Sequence, residues 1–148
     1  MSAPASARRL ERTPVRIPAS RLPPPILSHR DGAWVLEAPY AYHDAGTRIT
    51  VPAGFRFDLA SVPRLLWPVV APFELSIAAP LLHDFLYRFA GAPPEPAIEP
   101  PRRYARREAD RLFRDVMAAE GVSAWRRHAA FLATRLLGGR SWGRLPRA

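Results

Sequence analysis

The chain has no cysteine, so disulfide staples, thiolate zinc sites and a cysteine nucleophile are all excluded. Packing, hydrogen bonds and charge must hold the fold. It also lacks lysine: all 22 basic residues are arginine, and against 13 acidic residues they leave a formal charge of +9. That excess implies attraction to phosphate, whether of nucleic acid or anionic lipid, without choosing between them. The arginine bias stands beside abundant alanine and proline and can reflect codon composition, so it carries no argument for arginine-specific chemistry. No run approaches the roughly 18 consecutive apolar residues that a spanning helix requires, and the N-terminus has no continuous apolar stretch of the secretory kind. The expectation is a chain that is cytoplasmic as encoded.

What is present suffices for one core, since 48% of the 148 residues are hydrophobic. Residues 1–25, up to Pro23-Pro24-Pro25, mix Ala, Ser, Pro and five Arg without apolar periodicity and read as a disordered basic arm. A single domain is expected over 26–142, with a flexible tail at 143–148. Ala33 to Glu37, Tyr40 to Tyr42 and Arg48 to Val51 are short and rich in aromatic and β-branched residues, with Asp44-Ala45-Gly46 as a turn. They predict a small N-terminal antiparallel sheet. Val51 to Pro63 begins as strand and becomes loop.

Three helices are expected to follow, completing an α+β fold. The first runs from about Ile77 to Phe89, ends at Gly91 and precedes a Pro-rich loop, Ala92 to Pro101. The second runs from about Arg102 to Glu120 and stops at Gly121. Ser123 caps the third, which extends to Leu137 with Trp125, Ala129, Leu132 and Leu136 at helical spacing.

The chemistry-bearing residues fall on the first two helices. At roughly 100° per residue, Ala78, Leu82, Phe85, Leu86 and Phe89 share one side of the first, and His83, Asp84 and Tyr87 form an arc on another. His83 and Tyr87, four apart, can reach the same facing residue. On the second, Ala109, Leu112, Phe113, Val116 and Met117 make a core stripe with Asp110 at its edge, where a carboxylate needs partners. A short connection makes the helices antiparallel neighbours, so Asp110 can face His83 and Tyr87. An aspartate on one ring nitrogen fixes the imidazole tautomer and leaves the other nitrogen to take a proton from water, which is general-base hydrolysis. Asp84, turned away from that proton, is better placed for a hard cation such as Ca2+. Asp58 and carbonyls of Gly54 to Ser61 could complete its oxygen shell, and the cation would polarise an ester carbonyl.

His83-Asp84-Phe85-Leu86-Tyr87 resembles the His-Asp-x-x-Tyr helix of phospholipase A2, and Ala109-Asp110-Arg111-x-Phe113 resembles that family's second long helix. The resemblance covers about forty residues. It implies His83 as general base, Asp84 as calcium ligand, and Asp110 orienting His83 with help from Tyr87. The chain departs from the secreted phospholipases in having no cysteine and no Gly-rich calcium loop directly before the first helix. A second resemblance spans more of the chain, from Trp34 to Trp142. Ile49 to Phe55 with its Val-Pro-Ala-Gly-Phe run, Asp58 to Pro63, His83-Asp84-x-x-Tyr87 and Ala109-Asp110 are similar to an uncharacterised family of tailed bacteriophages and prophages. It implies phage-derived origin and virion association, not a reaction.

Other readings stay open. His83, Tyr87 and Asp110 can form a polar network that locks helix packing without catalysis. Asp58 and Ser61 can cap a turn, and no small-residue elbow surrounds Ser61 as a nucleophile would need. His43 at the hairpin turn is expected to be exposed, His128 packed or at the solvent edge, Trp67 and Trp142 core or core-rim. Arg102, Arg103, Arg106, Arg107, Arg111 and Arg114 read as a solvated face. The functions that follow are a phospholipid ester hydrolase, a non-catalytic phage tail, assembly or lysis-associated component meeting phage structural proteins, and, on charge alone, a nucleic-acid binder, for which no recognition motif is present. A metal phosphohydrolase would need a further helical histidine, and His29 and His43 lie in predicted loop or strand. Oligomeric state is not legible.

Overall fold

Asp31-Gly32 and Ala45-Gly46 each place two successive residues at positive φ, the backbone of the tight turns whose twist matches paired strands. The first joins β1 (Leu27–Arg30) to β2 (Ala33–Leu36), and the second joins β3 (Tyr40–Asp44) to β4 (Thr47–Val51). The computed structural model describes residues 21–57 and 77–144, and within them these hairpins grow into two three-stranded antiparallel sheets rather than one. β5 (Arg56–Phe57) adds to β2, pairing Trp34 with Phe57. β6 (Ile98–Glu99) adds to β4, pairing Ile49 with Ile98 and Arg48 with Glu99. Alternation along β4 sends Thr47, Ile49 and Val51 inward and Arg48 outward, the period-2 pattern of a half-buried strand.

The helices follow as α1 (Ala78–Arg88), α2 (Arg106–Ala119) and α3 (Ala124–Leu137), so the fold is α+β with its sheets mainly ahead of its helices. α1 begins without a capping side chain of its own. Its first N–H groups instead donate to the Glu120 carboxylate: Ile77 and Ala78 to Oε1 at 3.2 and 3.0 Å, and Ala79 to Oε2 at 3.4 Å. An anion at the positive end of the helix satisfies groups that have no intrahelical partner. α2 is closed at its start by Glu108, whose Oε2 accepts the Ala105 N–H at 2.8 Å.

α1 and α2 run antiparallel. Ala78 meets Glu120, Tyr87 meets Asp110, and Gly91 O accepts the Tyr104 N–H at 2.9 Å. The connection between them is not a plain loop: it returns to the sheet as β6, which two residues amid prolines did not announce. Between the helices and sheets lies one core that includes Leu36, Ile49, Val51, Phe57, Leu82, Phe85, Tyr104 and Val116.

One further expectation is revised. Residues 21–25, expected in the basic arm, are tied to the fold: the Arg21 N–H donates to Ala119 O at 3.1 Å, Pro23 O accepts from Tyr40 OH at 3.0 Å, and Leu22 packs on the core. The first 20 residues lie outside the described set. On α3 only Ala130 and Ala133 are buried, and the stripe of Trp125, Leu132 and Leu136 faces outward, 61%, 57% and 73% exposed. Small residues let α3 seat closely on its neighbours, and the spacing that predicts the helix does not choose its inner face.

Candidate active site

The antiparallel pairing of α1 and α2 brings three of the expected residues together. His83 Nε2 lies 3.0 Å from Asp110 Oδ1, and Tyr87 OH donates to the same oxygen at 2.5 Å. Asp110 is fully buried. The His83 ring is sandwiched near Tyr87 and Phe113, with centroids 4.1 and 4.7 Å away, and its side chain is 11% exposed. Tyr87 is itself fixed by Trp142, whose ring stands edge-on at 4.9 Å, and by the Gly143 N–H donating to its carbonyl at 2.8 Å. Trp142 thus lies at the rim of the core.

Two arginines complete the shell, and sequence reasoning missed both roles. Arg135, from α3, donates through Nη1 to Asp110 Oδ2 at 2.8 Å. Arg106, placed among the solvated arginines, has Nε at 3.9 Å from the same oxygen and donates through Nη2 to Arg135 O at 2.7 Å. The i,i+4 spacing of Arg106 and Asp110 was the available signal for the first. Nothing local flags Arg135, 25 residues from its partner.

Burial by itself would raise the Asp110 pKa, but the hydrogen bonds from His83, Tyr87 and Arg135 outweigh it and hold the carboxyl below its ordinary value. Asp110 is therefore ionised at neutral pH and can only accept, so His83 Nε2 must carry the proton. For His83, burial is the largest influence and lowers its pKa, against the Asp110 hydrogen bond and charge and with the Arg106 charge. The ring is neutral at pH 7, with its lone pair on Nδ1. Tyr87 is pushed up, first by burial and then by its bond to Asp110, and stays a donor.

Asp84 Oδ1 is 4.0 Å from His83 Nδ1, too far for a direct hydrogen bond and within the span of one bridging water. Asp84 is buried, and the positive charge of Arg88 acts beside it. Arg88 donates to Arg56 O at 2.6 Å and lies over the Phe55 ring at 4.3 Å. Asp58, the other expected cation ligand, lies outside the described residues, as do Ser61 and Trp67. Among the described residues no three His, Asp or Glu groups converge as metal ligands. A histidine nitrogen and an arginine beside Asp84 are not the oxygen ligands that calcium takes. They do not by themselves fit the ion.

The remaining candidates stay apart. His43 and His128 are exposed, and His29 stacks edge-on against Trp34 at 5.1 Å. Tyr104, buried where the chain enters α2, donates to Asp44 Oδ2 at 2.9 Å and ties the helix pair to the second hairpin.

A family model for proteins of unknown function, DUF1353, matches residues 34–134. The chain belongs to the DUF1353 family. The match covers both sheets from β2 onward, the whole of α1 and α2, and all but the last turn of α3, so every residue bonded to Asp110 except Arg135 lies inside the family segment. No curated protein and no solved structure matches the chain. Among the described residues, no helix of this DUF1353 protein is long and apolar enough to cross a membrane.

Proposed function

We propose that this DUF1353 protein is a phage-derived carboxylic ester hydrolase of phospholipase A2 type, with His83 activating water and phospholipid as its substrate class. One observation carries the reading: His83 Nε2 is held at 3.0 Å by a fully buried, ionised aspartate while Nδ1 keeps its lone pair beside Asp84. A water between Nδ1 and Asp84 would lose a proton to Nδ1 as its oxygen attacks the ester carbonyl carbon. Asp110 stabilises the imidazolium, which returns the proton to the leaving alcohol oxygen when the tetrahedral intermediate collapses. Calcium on Asp84 and Asp58 would add polarisation of the ester carbonyl to this reading.

The test is fatty-acid release from phosphatidylglycerol and phosphatidylethanolamine vesicles, in calcium and in chelator. Wild type and His43→Ala are expected to release fatty acid, and His83→Ala to lose about 10²–10⁴-fold, the usual worth of a positioned general base. Release only in calcium would support the cation. No release from folded wild type, or equal release by both histidine variants, sinks the hydrolase reading.

The His83 pKa supplies a second prediction. A base whose folded pKa lies below its ordinary value of 6.5 stays competent into mild acid, so the acid limb of the rate profile should have its midpoint below 6.5. Stability follows the same sign: the unfolded chain takes up the proton first, so the contribution of His83 is full above about pH 6.5 and falls as pH drops toward the folded pKa. A His83→Ala melting series should lack that decline. A rate midpoint above 6.5 contradicts the assignment of His83 as a neutral buried base.

A second reading has its own support, because Asp110 accepts hydrogen bonds from α1 and α3 while sitting on α2. A non-catalytic phage tail, assembly or lysis component could use it as a packing lock. In that case His83→Ala changes melting temperature with no turnover to lose.

A further inference from the structure

We propose that the outer face of α3 docks this protein on an anionic lipid surface. Trp125, Leu132 and Leu136 fall within a narrow arc of the helix at 100° per residue, and all three are more than half exposed. They are not needed to hold the helix, which buries Ala130 and Ala133 instead and is tied down by Arg135 on Asp110. Large apolar side chains on one outward helix face, with a guanidinium beside the tryptophan, make an interfacial helix whose apolar face enters the headgroup boundary.

The charge around the face selects the occupant. From Gly121 onward the sequence has six arginines and no Asp or Glu; Arg135 is engaged with Asp110 and Arg127 with Val122 O. Arg126 holds its guanidinium 5.3 Å from the Trp125 ring, placing a cation beside the aromatic anchor, and Arg140 is exposed just past the C-terminal end of the helix. Anionic headgroups meet the arginines and acyl chains meet the leucines, with tryptophan at the boundary where its ring is amphipathic. A second copy of the same face would bring Arg126 and Arg140 against their own counterparts. Duplex nucleic acid would accept the arginines but gain nothing from covering Leu132 and Leu136. A ridge rather than a groove also suits a fluid surface better than a protein cleft.

This inference does not depend on the hydrolase reading. It is tested with the full chain by flotation with phosphatidylcholine vesicles that contain or lack phosphatidylglycerol. Wild type should float with the anionic vesicles, less so as salt rises, and little with the neutral ones. The triple variant Trp125→Ser, Leu132→Ser, Leu136→Ser should lose about tenfold or more of its binding. Leu136→Ser alone, the mildest change at the most exposed position, should lose roughly threefold and guards against misfolding of the triple. His43→Ala, at an exposed position apart from both the site and α3, should float as wild type does. Wild type that stays unbound, or serine variants that float equally well, overturns the proposal. So does light scattering that finds a wild-type dimer and a monomeric triple variant, which would make the face an interface between copies. Turnover of a soluble ester by a chain that ignores vesicles would overturn this proposal and leave His83 in its role.

Discussion

Asp110→Ala is expected to cost about 3–5 kcal/mol, because it strips a fully buried anion from partners that have no replacement. Arg135 Nη1 loses its acceptor at 2.8 Å, Tyr87 OH loses one at 2.5 Å, and His83 Nε2 loses one at 3.0 Å. Arg106 then faces Arg135 without the negative charge that lets two guanidiniums share one pocket. For a folded region of about 100 residues, that loss lowers the melting temperature by more than about 10 °C and can leave the chain unfolded at 37 °C. The denaturation midpoint measures it. Tyr87→Phe, which removes one of the bonds, should cost about 1–3 kcal/mol. Breaking the exposed Arg48–Glu99 pair should cost about 0–1 kcal/mol. A loss below about 1 kcal/mol in Asp110→Ala would mean that water or a shifted side chain replaces the carboxylate.

This dependence explains why the packing and catalytic readings share residues. An aspartate that orients a histidine must be rigid, and here rigidity comes from being tied to three helices. Stability data on Asp110 therefore cannot separate the readings, whereas His83 can. It donates one bond to Asp110 and leaves Nδ1 unused by that network, so its removal spares the Arg135 and Tyr87 contacts.

The helix pair was legible because its signals are local and periodic. The 109, 112, 113, 116, 117 spacing is buried as a helical stripe, and Asp110 among those residues demanded partners. The four-residue step from His83 to Tyr87 then limited which residues could supply them. The rest had no such period. β5 and β6 are two residues each, too short to alternate, and exist only because β2 and β4 offer edges to pair with. Arg135 sits on a helix whose apolar spacing predicts the helix without choosing its inner face. Its bond to Asp110 depends on how α3 packs, which follows from the alanines rather than from the large side chains.

Gly91→Ala is expected to be the most disruptive change outside the site. Gly91 has φ +76 at the end of α1, where its N–H donates to Leu86 O at 2.8 Å and closes the helix. A Cβ added there would lie 1.8 Å from Tyr104 O and 2.7 Å from its carbonyl carbon, both backbone atoms with no rotamer to escape into. The left-handed backbone costs a non-glycine residue about 1–2 kcal/mol, and forcing α1 away from the entry to α2 adds about 1–3 kcal/mol as overpacking does in a core. The expected loss is about 2–5 kcal/mol, read as a shift in denaturation midpoint. Gly46→Ala separates the two contributions, since it has φ +84 and nothing within 4 Å of the added carbon. It should show the backbone cost alone. Equal losses in the two variants would mean that the α1 end and Tyr104 part freely, and that the His83–Asp110 separation does not rest on their close approach.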